Sequence, residues 1–395
     1  MRTLVSSQPQ ILSQMNERMV LRILRSNGPS SRAEVKRLSG VTAPTVSKAV
    51  SSLLKSGMLE EYEEAATSRG RPAKKLRLAE ETAQVIGLVI DTPTCTLVAT
   101  GLDGNIREKK QIEFKTPDTY EALLQKVSEE VNKLKSTHGV RTWGVGISLP
   151  GLFDSHEGRS ILSPNVPITN SQYVRKDLSK RTGLQCVVLQ ETDALCLAER
   201  HAGLARDMDD FAMLDASTGI GLGVFIEGRL LKGSSGLAGE IGHLPMVPDG
   251  VKCGCGRSGC LETIASDTAL TRLVSKRIGR DLDIHQIQEL VQTDDLNVAE
   301  ELNNVCNQLT FALATVINLF NPQTLFVHSR MFDMDAALFD RLIENTETKA
   351  LASSFRDCRI ERARSSKQAG AIAGIIEHLT DSRISESNPH FLKVL

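Results

Sequence analysis

The feature that most constrains this chain is a group of four potential metal ligands in one short stretch. It supplies one imidazole and three thiols, from His243, Cys253, Cys255 and Cys260. This is a complete ligand set for a tetrahedral zinc site, and glycines between the sulfurs allow the backbone to turn back sharply. We expect a structural Zn²⁺, because four protein ligands leave no position open for water. The alternative is a glycine-rich loop with free cysteines.

Two carboxylates flank this metal loop, which spans residues 242–262. Glu240 precedes the loop and Glu262 ends it. The glycines on either side of Glu240 indicate close packing, although a solvated surface charge is the alternative for this residue. We therefore expect the metal loop to form part of a polar ligand pocket.

The length and charge of the chain indicate several domains with different partners. A chain of 395 residues is too long for one ordinary core, so two or three domains are expected. Residues 1–78 contain 14 Lys/Arg and 6 Asp/Glu, whereas the whole chain has a net charge of −1. A basic amino-terminal part suggests a polyanionic partner for that part alone. A basic surface without such a partner is the alternative.

The remaining cysteines and the apolar segments indicate the cellular compartment of the protein. Five cysteines are scattered through apolar stretches, as expected for buried thiols in a reducing environment. Residues 1–16 lack the pattern of a secretion signal. The longest apolar stretch, residues 309–320, is too short to span a bilayer. We expect a cytoplasmic protein without a membrane partner.

The amino-terminal part has the pattern of a helix-turn-helix. Apolar residues at helical spacing over 19–24 predict a first helix. Ser31 and Glu34 form a capping box for a second helix, and Thr42 is the predicted cap of a third. The third helix carries small polar residues and one cation opposite its apolar face, as in a helix that enters the major groove. Its predicted DNA contacts are Thr42, Thr45, Ser47, Lys48 and Ser51.

Two strands after the third helix predict a wing. Residues 58–62 form the first strand, and residues 67–78 contain the tip and the second strand. Guanidinium groups on either side of a glycine suit phosphates or a narrow minor groove. We predict a winged helix-turn-helix DNA-binding domain over residues 1–80, whose wing contacts DNA through Arg69, Arg71 and Lys74. A protein-interaction winged helix with a flexible basic linker is the alternative.

The rest of the chain predicts two similar α/β lobes facing a cleft. In each half, strands come first and helices follow. We assign residues 81–195 to the first lobe, which a carboxy-terminal helix within about 369–395 completes. Residues 196–368 form the second lobe and include the metal loop.

Several motifs in these lobes resemble the ROK family of bacterial sugar kinases and sugar-responsive transcriptional repressors. The most specific is the metal loop, whose His-to-Cys spacing and final Glu262 match the family signature. The others are Pro150-Gly151, Ser163-Pro164-Asn165, Glu191-Thr192-Asp193, Thr218-Gly219-Ile220-Gly221, Ala238-Gly239-Glu240, Asn321-Pro322 and Ala369-Gly370. The resemblance implies an α/β, actin-like or hexokinase-like body with two lobes. The added winged helix resembles that of the family's xylose-, N-acetylglucosamine- and glucose-responsive repressors.

The phosphate loops of the family's kinases are only partly retained. Where the family has Asp-Ile-Gly-Gly-Thr, this chain has Val89-Ile90-Asp91-Thr92-Pro93. Asp91 would repel phosphate charge and Pro93 has no amide donor. His328-Ser329-Arg330 replaces the glycines expected on the adenine side, although the second glycine-rich turn, residues 217–223, remains. We expect no ATP binding and no enzyme activity.

The alternative is an active sugar kinase with an accessory DNA-binding domain. In that case the resemblance implies that Asp193 is the catalytic base.

The resemblance also implies a largely retained sugar site. By the family's pattern its ligands are Asp193, Glu240, His243 and Glu262, with Asn165 at the edge. His243 would use one ring nitrogen for the metal and direct the other toward the sugar. Thr192 replaces the family's usual asparagine, and a hydroxyl has one donor where a carboxamide has two. A helix N-cap is the alternative role for Asp193.

These features together predict a sugar-responsive transcriptional regulator, most simply a repressor. The expected partners are operator DNA and a sugar or sugar-phosphate effector. We expect a homodimer or a dimer of dimers, in which two recognition helices meet an inverted repeat one helical turn apart.

Overall fold

The computed structural model describes residues 8–63, 74–106, 111–135, 139–154, 157–206 and 208–381. The chain forms two compact units. The first contains Met1–Leu149, Tyr173–Leu189 and Lys367–Leu395, and the second contains Pro150–Gln172 and Gln190–Ser366. Residues 1–80 are grouped here with the first lobe, whereas residues 150–172 and 190–195 are grouped with the second. The three-domain division remains a prediction.

The amino-terminal part of the first unit has the element order of a winged helix. The capping box of its second helix is confirmed, because the Ser31 hydroxyl accepts from the Glu34 N–H and the Glu34 carboxylate accepts from the Ser31 N–H. The two strands pair antiparallel. The elements are α1 (Gln8–Asn27), α2 (Arg32–Ser39), α3 (Ala43–Ser56), β1 (Leu59–Glu63) and β2 (Lys74–Leu78).

Helix α3 buries the apolar face that its sequence predicts. Val46, Val50 and Leu53 are almost completely buried. Thr42 occupies the N-cap position, but its side chain makes no capping hydrogen bond. Its hydroxyl lies instead 2.9 Å from the hydroxyl of Thr45.

The rest of the first unit is a five-stranded sheet with helices. Its strands have the order β5-β4-β3-β6-β9, in which β3 pairs antiparallel with β4 and parallel with β6. The elements are β3 (Ala83–Val89), β4 (Thr94–Thr100), β5 (Gln111–Lys115), α4 (Tyr120–Lys135), β6 (Arg141–Leu149), α5 (Val174–Thr182), β9 (Gln185–Gln190) and α13 (Lys367–Asp381).

The last helix, α13, packs closely on β3 and β6. At Gly146 an added Cβ would lie 1.7 Å from the carbonyl oxygen of Ala371, so only glycine permits this approach. Apolar residues of α13, including Ile372 and Ile376, also share one hydrophobic core with Val20 and Leu24 of α1. The amino-terminal helices and the carboxy-terminal helix therefore contribute to the same core.

The second unit repeats the topology of the first sheet. Its strand order is β12-β11-β10-β13-β14, with β10 antiparallel to β11 and parallel to β13. The elements are β7 (Leu152–Asp154), β8 (Arg159–Leu162), α6 (Glu191–Ala202), β10 (Phe211–Asp215), β11 (Gly221–Ile226), β12 (Arg229–Leu230), α7 (Glu262–Ala265), α8 (Asp267–Ile278), α9 (Ile284–Gln292), α10 (Ala299–Phe320), β13 (Thr324–His328), α11 (Leu338–Glu347), α12 (Ala352–Asp357) and β14 (Arg359–Arg362).

A second hydrophobic core joins this sheet to α8 and α10 through residues such as Leu214, Leu270 and Leu313. Among the described residues, no helix is both long enough and apolar enough to cross a bilayer.

Candidate metal centre and ligand pocket

The four predicted metal ligands converge in the second unit. Their ligand atoms all lie within 4.8 Å of one another. The Sγ atoms of Cys255 and Cys260 are 3.7 Å apart, and Sγ of Cys253 is 3.5 Å from Nδ1 of His243. Around a tetrahedral Zn²⁺, with Zn–S near 2.3 Å and Zn–N near 2.0 Å, ligand atoms stand about 3.5–3.8 Å apart. The donor atoms and their spacing could therefore hold a tetrahedral metal ion.

Backbone contacts fold the metal loop back on itself. Isolated bridges pair Pro245 with Cys260 and Lys252 with Ser258. At Gly259 an added Cβ would lie 1.7 Å from the carbonyl oxygen of Val247, so the loop needs glycine at this position. These contacts bring Cys260 back beside the segment that follows His243.

The two ring nitrogens of His243 face different partners. Nδ1 faces Cys253, whereas Nε2 lies 3.8 Å from a carboxylate oxygen of Glu240. Glu262 lies on the sulfur side, with Oε1 2.7 Å from Sγ of Cys253. Its other oxygen would be 2.9 Å from a Cβ on Gly219, in the glycine-rich turn. Both carboxylates that flank the metal loop therefore contact its ligands.

A cavity of about 360 Å³ in the second unit borders the metal loop. Burial raises the pKa of the Glu240 carboxyl, while His243 and a hydrogen bond from Gln190 oppose that rise. Carboxylates, an amide and hydroxyls together suit a ligand with several hydroxyl groups. The lining includes five of the six residues predicted to bind a sugar: Asn165, Thr192, Glu240, His243 and Glu262.

Asp193 is placed differently from these five residues. It lies in the first turn of α6, is buried, and is not part of the cavity lining. Its carboxylate accepts a hydrogen bond from the ammonium of Lys232. Burial raises the pKa of the Asp193 carboxyl, and Lys232 opposes that rise. The N-cap position of α6 belongs to Gln190, not to Asp193.

The amino-acid sequence of this chain is similar to those of known proteins. The profile of the ROK family matches residues 85–377. The chain belongs to the ROK family. It is 25% identical to the xylose repressor of Bacillus subtilis, over 94% of this chain and 97% of that protein. It is 27% identical to the DNA-binding transcriptional dual regulator NagC of Escherichia coli, over 86% of each chain.

Solved structures of ROK proteins match the fold. A ROK family transcriptional regulator, a homologue of the E. coli MLC protein, has a TM-score of 0.78 at 24% identity, covering 95% of this chain and 99% of that one. The ROK hexokinase of Thermus thermophilus has a TM-score of 0.62 at 26% identity, covering 77% of this chain and 100% of that one. The fold is thus the actin-like α/β fold of ROK proteins.

The altered first phosphate loop of this ROK protein lies in the first unit. The N–H of Thr92 donates to the carboxylate of Asp91 at 2.8 Å, and the ammonium of Lys367 lies 3.6 Å from the same carboxylate. Because Pro93 has no N–H, neither Thr92 nor Pro93 has a backbone donor left for a phosphate. Lys367 also neutralises part of the charge by which Asp91 would repel phosphate, which the sequence did not indicate.

The segment after β13, where the resemblance implies glycines on the adenine side of a kinase, pairs with nearby carboxylates. Nδ1 of His328 lies 2.8 Å from the carboxylate of Asp215. The buried carboxylate of Asp267 accepts from the Ser329 hydroxyl at 2.6 Å and from the Arg330 N–H at 2.9 Å. All three residues that replace the expected glycines are therefore engaged with neighbouring carboxylates.

The predicted DNA-contacting residues fall into three groups. Arg69 and Arg71 lie outside the described residues. Lys74 begins β2, and its ammonium lies 3.6 Å from the Glu61 carboxylate. On α3, Thr45 is half-buried, and the exposed residues are Thr42, Ser47, Lys48 and Ser51.

Sequence reasoning missed two residues that contact this site. They are Gln190 and Lys232. Their partners are 39 residues or more away along the chain, so no local spacing pattern could have identified them.

Proposed function

We propose that this ROK protein is a sugar-responsive, DNA-binding transcriptional repressor. The observation that carries this proposal is the cavity beside the metal loop, which five of the predicted sugar ligands line. The similarity to the xylose repressor and to NagC supports the same function. The effector is a sugar or a sugar phosphate, and the DNA partner is an operator.

The metal in this proposal is Zn²⁺. Three thiolates and one imidazole are the ligands that Zn²⁺ prefers, and the spacing of the four donor atoms suits its tetrahedral geometry. His243, Cys253, Cys255 and Cys260 would hold the ion. It would stabilise the metal loop and fix the orientation of the His243 ring, whose Nε2 faces Glu240.

In this proposal the protein responds to a sugar without catalysing a reaction. A kinase needs donors placed around the transferred phosphate. Here the N–H of Thr92 already donates to the carboxylate of Asp91, and Pro93 has no N–H. Asp193, the expected base, is paired with Lys232. The protein would therefore bind a sugar without phosphorylating it.

DNA recognition is assigned to the exposed face of α3. Ser47, Lys48 and Ser51 are exposed on this helix, and such hydroxyl and ammonium groups can reach base edges and phosphates. In a homodimer or a dimer of dimers, two copies of α3 would meet an inverted repeat. Arg69 and Arg71 are proposed as wing contacts, with Lys74 at the base of the wing.

The proposal is tested by binding of the full-length protein to DNA from upstream of its own gene. Fluorescence anisotropy at fixed salt measures the Kd without sugar and with D-xylose, N-acetyl-D-glucosamine or D-glucose, each as the free sugar and as its phosphate ester. We expect at least one sugar to change the operator Kd by about 5- to 150-fold, the usual range of coupling between two sites. A scrambled DNA of equal length is the control. An operator Kd that none of the sugars changes would contradict the sugar-responsive function.

The second candidate is an active sugar kinase with an accessory DNA-binding domain. The observation in its favour is the retained glycine-rich turn, since Thr218, Gly219 and Gly221 line the cavity. ATP-dependent turnover of the same sugars discriminates between the candidates. Turnover that is lost in Asp193→Asn would establish the kinase.

A further inference from the structure

Gln190 occupies an unusual position in the second unit. It is the last residue of β9 and the N-cap of α6, the helix that carries Thr192. An N-cap side chain commonly accepts a hydrogen bond from the first turn of its helix. The side chain of Gln190 makes no such bond, so its carboxamide is available for other partners.

The carboxamide nitrogen of Gln190 contacts two acceptors. It lies 3.2 Å from the carbonyl oxygen of Gly151 and 3.2 Å from Oε1 of Glu240. A carboxamide has two N–H donors, so it can satisfy both acceptors at once. The three residues also line the same cavity. One side chain thus links the proposed sugar ligand Glu240 to the backbone of Gly151.

Both ends of this link lie where the chain passes from one unit to the other. The chain enters the second unit after Leu149, at the end of β6, and again after Leu189, at the end of β9. Strands β6 and β9 are neighbours in the first sheet. Gly151 and Gln190 are thus among the first residues of the second unit at two of these passages.

The backbone at Gly151 packs closely against the end of β8. Its φ is 88°, and an added Cβ would lie 2.2 Å from the carbonyl oxygen of Leu162, at the end of β8. A shift of Gly151 must therefore be accompanied by a shift of its neighbours, because packed backbone is not continuously deformable.

We propose that Gln190 is the positioning residue that transmits effector binding from Glu240 to Gly151 and to the start of α6. This inference rests on the proposed function. A sugar hydroxyl that donates to Glu240 competes for Oε1 or rotates the carboxylate. Gln190 must then follow Glu240 or lose that bond, and in either case its bond to Gly151 is altered. The occupied pocket thereby favours a different backbone arrangement at Gly151 and at the start of α6.

The test compares Gln190→Leu and Gln190→Glu with wild-type protein. Leucine removes both donors, and glutamate keeps the size but replaces the donors with a charge that Glu240 repels. Gln185→Leu is the matched control, because Gln185 is the exposed first residue of the same strand. For each protein, anisotropy gives the operator Kd without and with the most effective of the three sugars above. Calorimetry gives the sugar Kd.

For both Gln190 variants we expect an operator Kd without sugar within twofold of wild type. The sugar Kd from calorimetry sets the sugar concentration that saturates each variant. At saturating sugar, the operator Kd should change less than twofold. Gln185→Leu should retain the full response.

The possible failures are distinguishable. An undiminished sugar response in either Gln190 variant overturns the inference and leaves the proposed function intact. Weaker operator binding without sugar, with a lower melting temperature, would indicate a merely structural role and would also overturn it. If wild-type protein responds to none of the sugars, both the proposed function and this inference are wrong. If Gln190→Leu does not fold, Gln190→Glu alone decides.

Discussion

Lys232 donates a hydrogen bond to the buried carboxylate of Asp193, the position at which the kinases of this family would have their base. The preceding residue, Thr192, lines the cavity, whereas Asp193 does not. A carboxylate held by an ammonium is a weaker proton acceptor than an unpaired one. The chain therefore retains the residue while engaging it in an internal ion pair.

This pair predicts a pH-dependent loss of stability in Lys232→Ala. Burial raises the folded-state pKa of Asp193, so ionisation of this group disfavours the folded state as pH rises, and Lys232 opposes the effect. Without Lys232 the folded-state pKa rises further. We expect a loss of about 1–3 kcal/mol at pH 7 and a smaller loss at acidic pH, where protonation of Asp193 removes the charge that Lys232 pairs with.

The measurement is urea unfolding across this pH range. Lys276→Ala, an exposed lysine on α8 of the same unit, is the control. A deficit for Lys232→Ala that does not change with pH would mean that the lysine contributes through packing alone.

We expect the metal ligand Cys255 to affect both the stability of the protein and its affinity for sugar. Cys255→Ser should bind less than one equivalent of Zn²⁺ and lose about 3 kcal/mol or more, because metal binding contributes directly to folding. Its sugar affinity should also fall, since His243 is both a metal ligand and part of the cavity. Elemental analysis, thermal melts with and without chelator, and calorimetry give the three quantities.

A chelator should lower the melting temperature of wild-type protein more than that of Cys255→Ser. Unchanged sugar affinity in metal-depleted protein would show that sugar binding does not depend on the metal.

The exposed face of α3 predicts a salt-dependent phosphate contact. Lys48→Ala should weaken binding to operator and to unrelated DNA by a similar factor. The slope of log Kobs against log salt concentration should become shallower by about one. Anisotropy titrations at several salt concentrations measure this slope. Lys133→Ala on α4 is the control, and an equal change in its slope would argue against a specific role for α3.

The core that α1 shares with α13 predicts joint unfolding. Ile376 is 5% exposed, and replacing such a residue with alanine costs about 2–5 kcal/mol. Ile376→Ala should lower the denaturant midpoint for fluorescence of Trp143, which packs against this core, and for operator binding by the same amount. Operator binding that fails at a lower denaturant concentration than the Trp143 signal would show that the amino-terminal helices unfold separately.

The sequence was sufficient for the features that depend on local spacing. The metal ligands and the capping box at Ser31 follow from short-range patterns, and both agree with the structure. The family was also predictable, because its motifs are contiguous.

Contacts between distant segments were not predictable in the same way. Thr42 is a residue type that commonly caps helices, but its hydroxyl lies near the hydroxyl of Thr45 instead. The ion pair between Asp91 and Lys367 joins two residues that are far apart in the sequence. Gln190 could not be recognised, because its role depends on the positions of Gly151 and Glu240 in the folded chain.

The shared core of α1 and α13 has a consequence for protein synthesis. Helix α13 begins at Lys367, so the ribosome makes it long after α3. At about 5–20 residues per second, this interval lasts roughly 15–60 s. Any chain released earlier lacks Ile372 and Ile376 and cannot complete the core beneath its amino-terminal helices. Truncated products would thus be poor competitors for operators, and the part of the protein that is translated first is completed last.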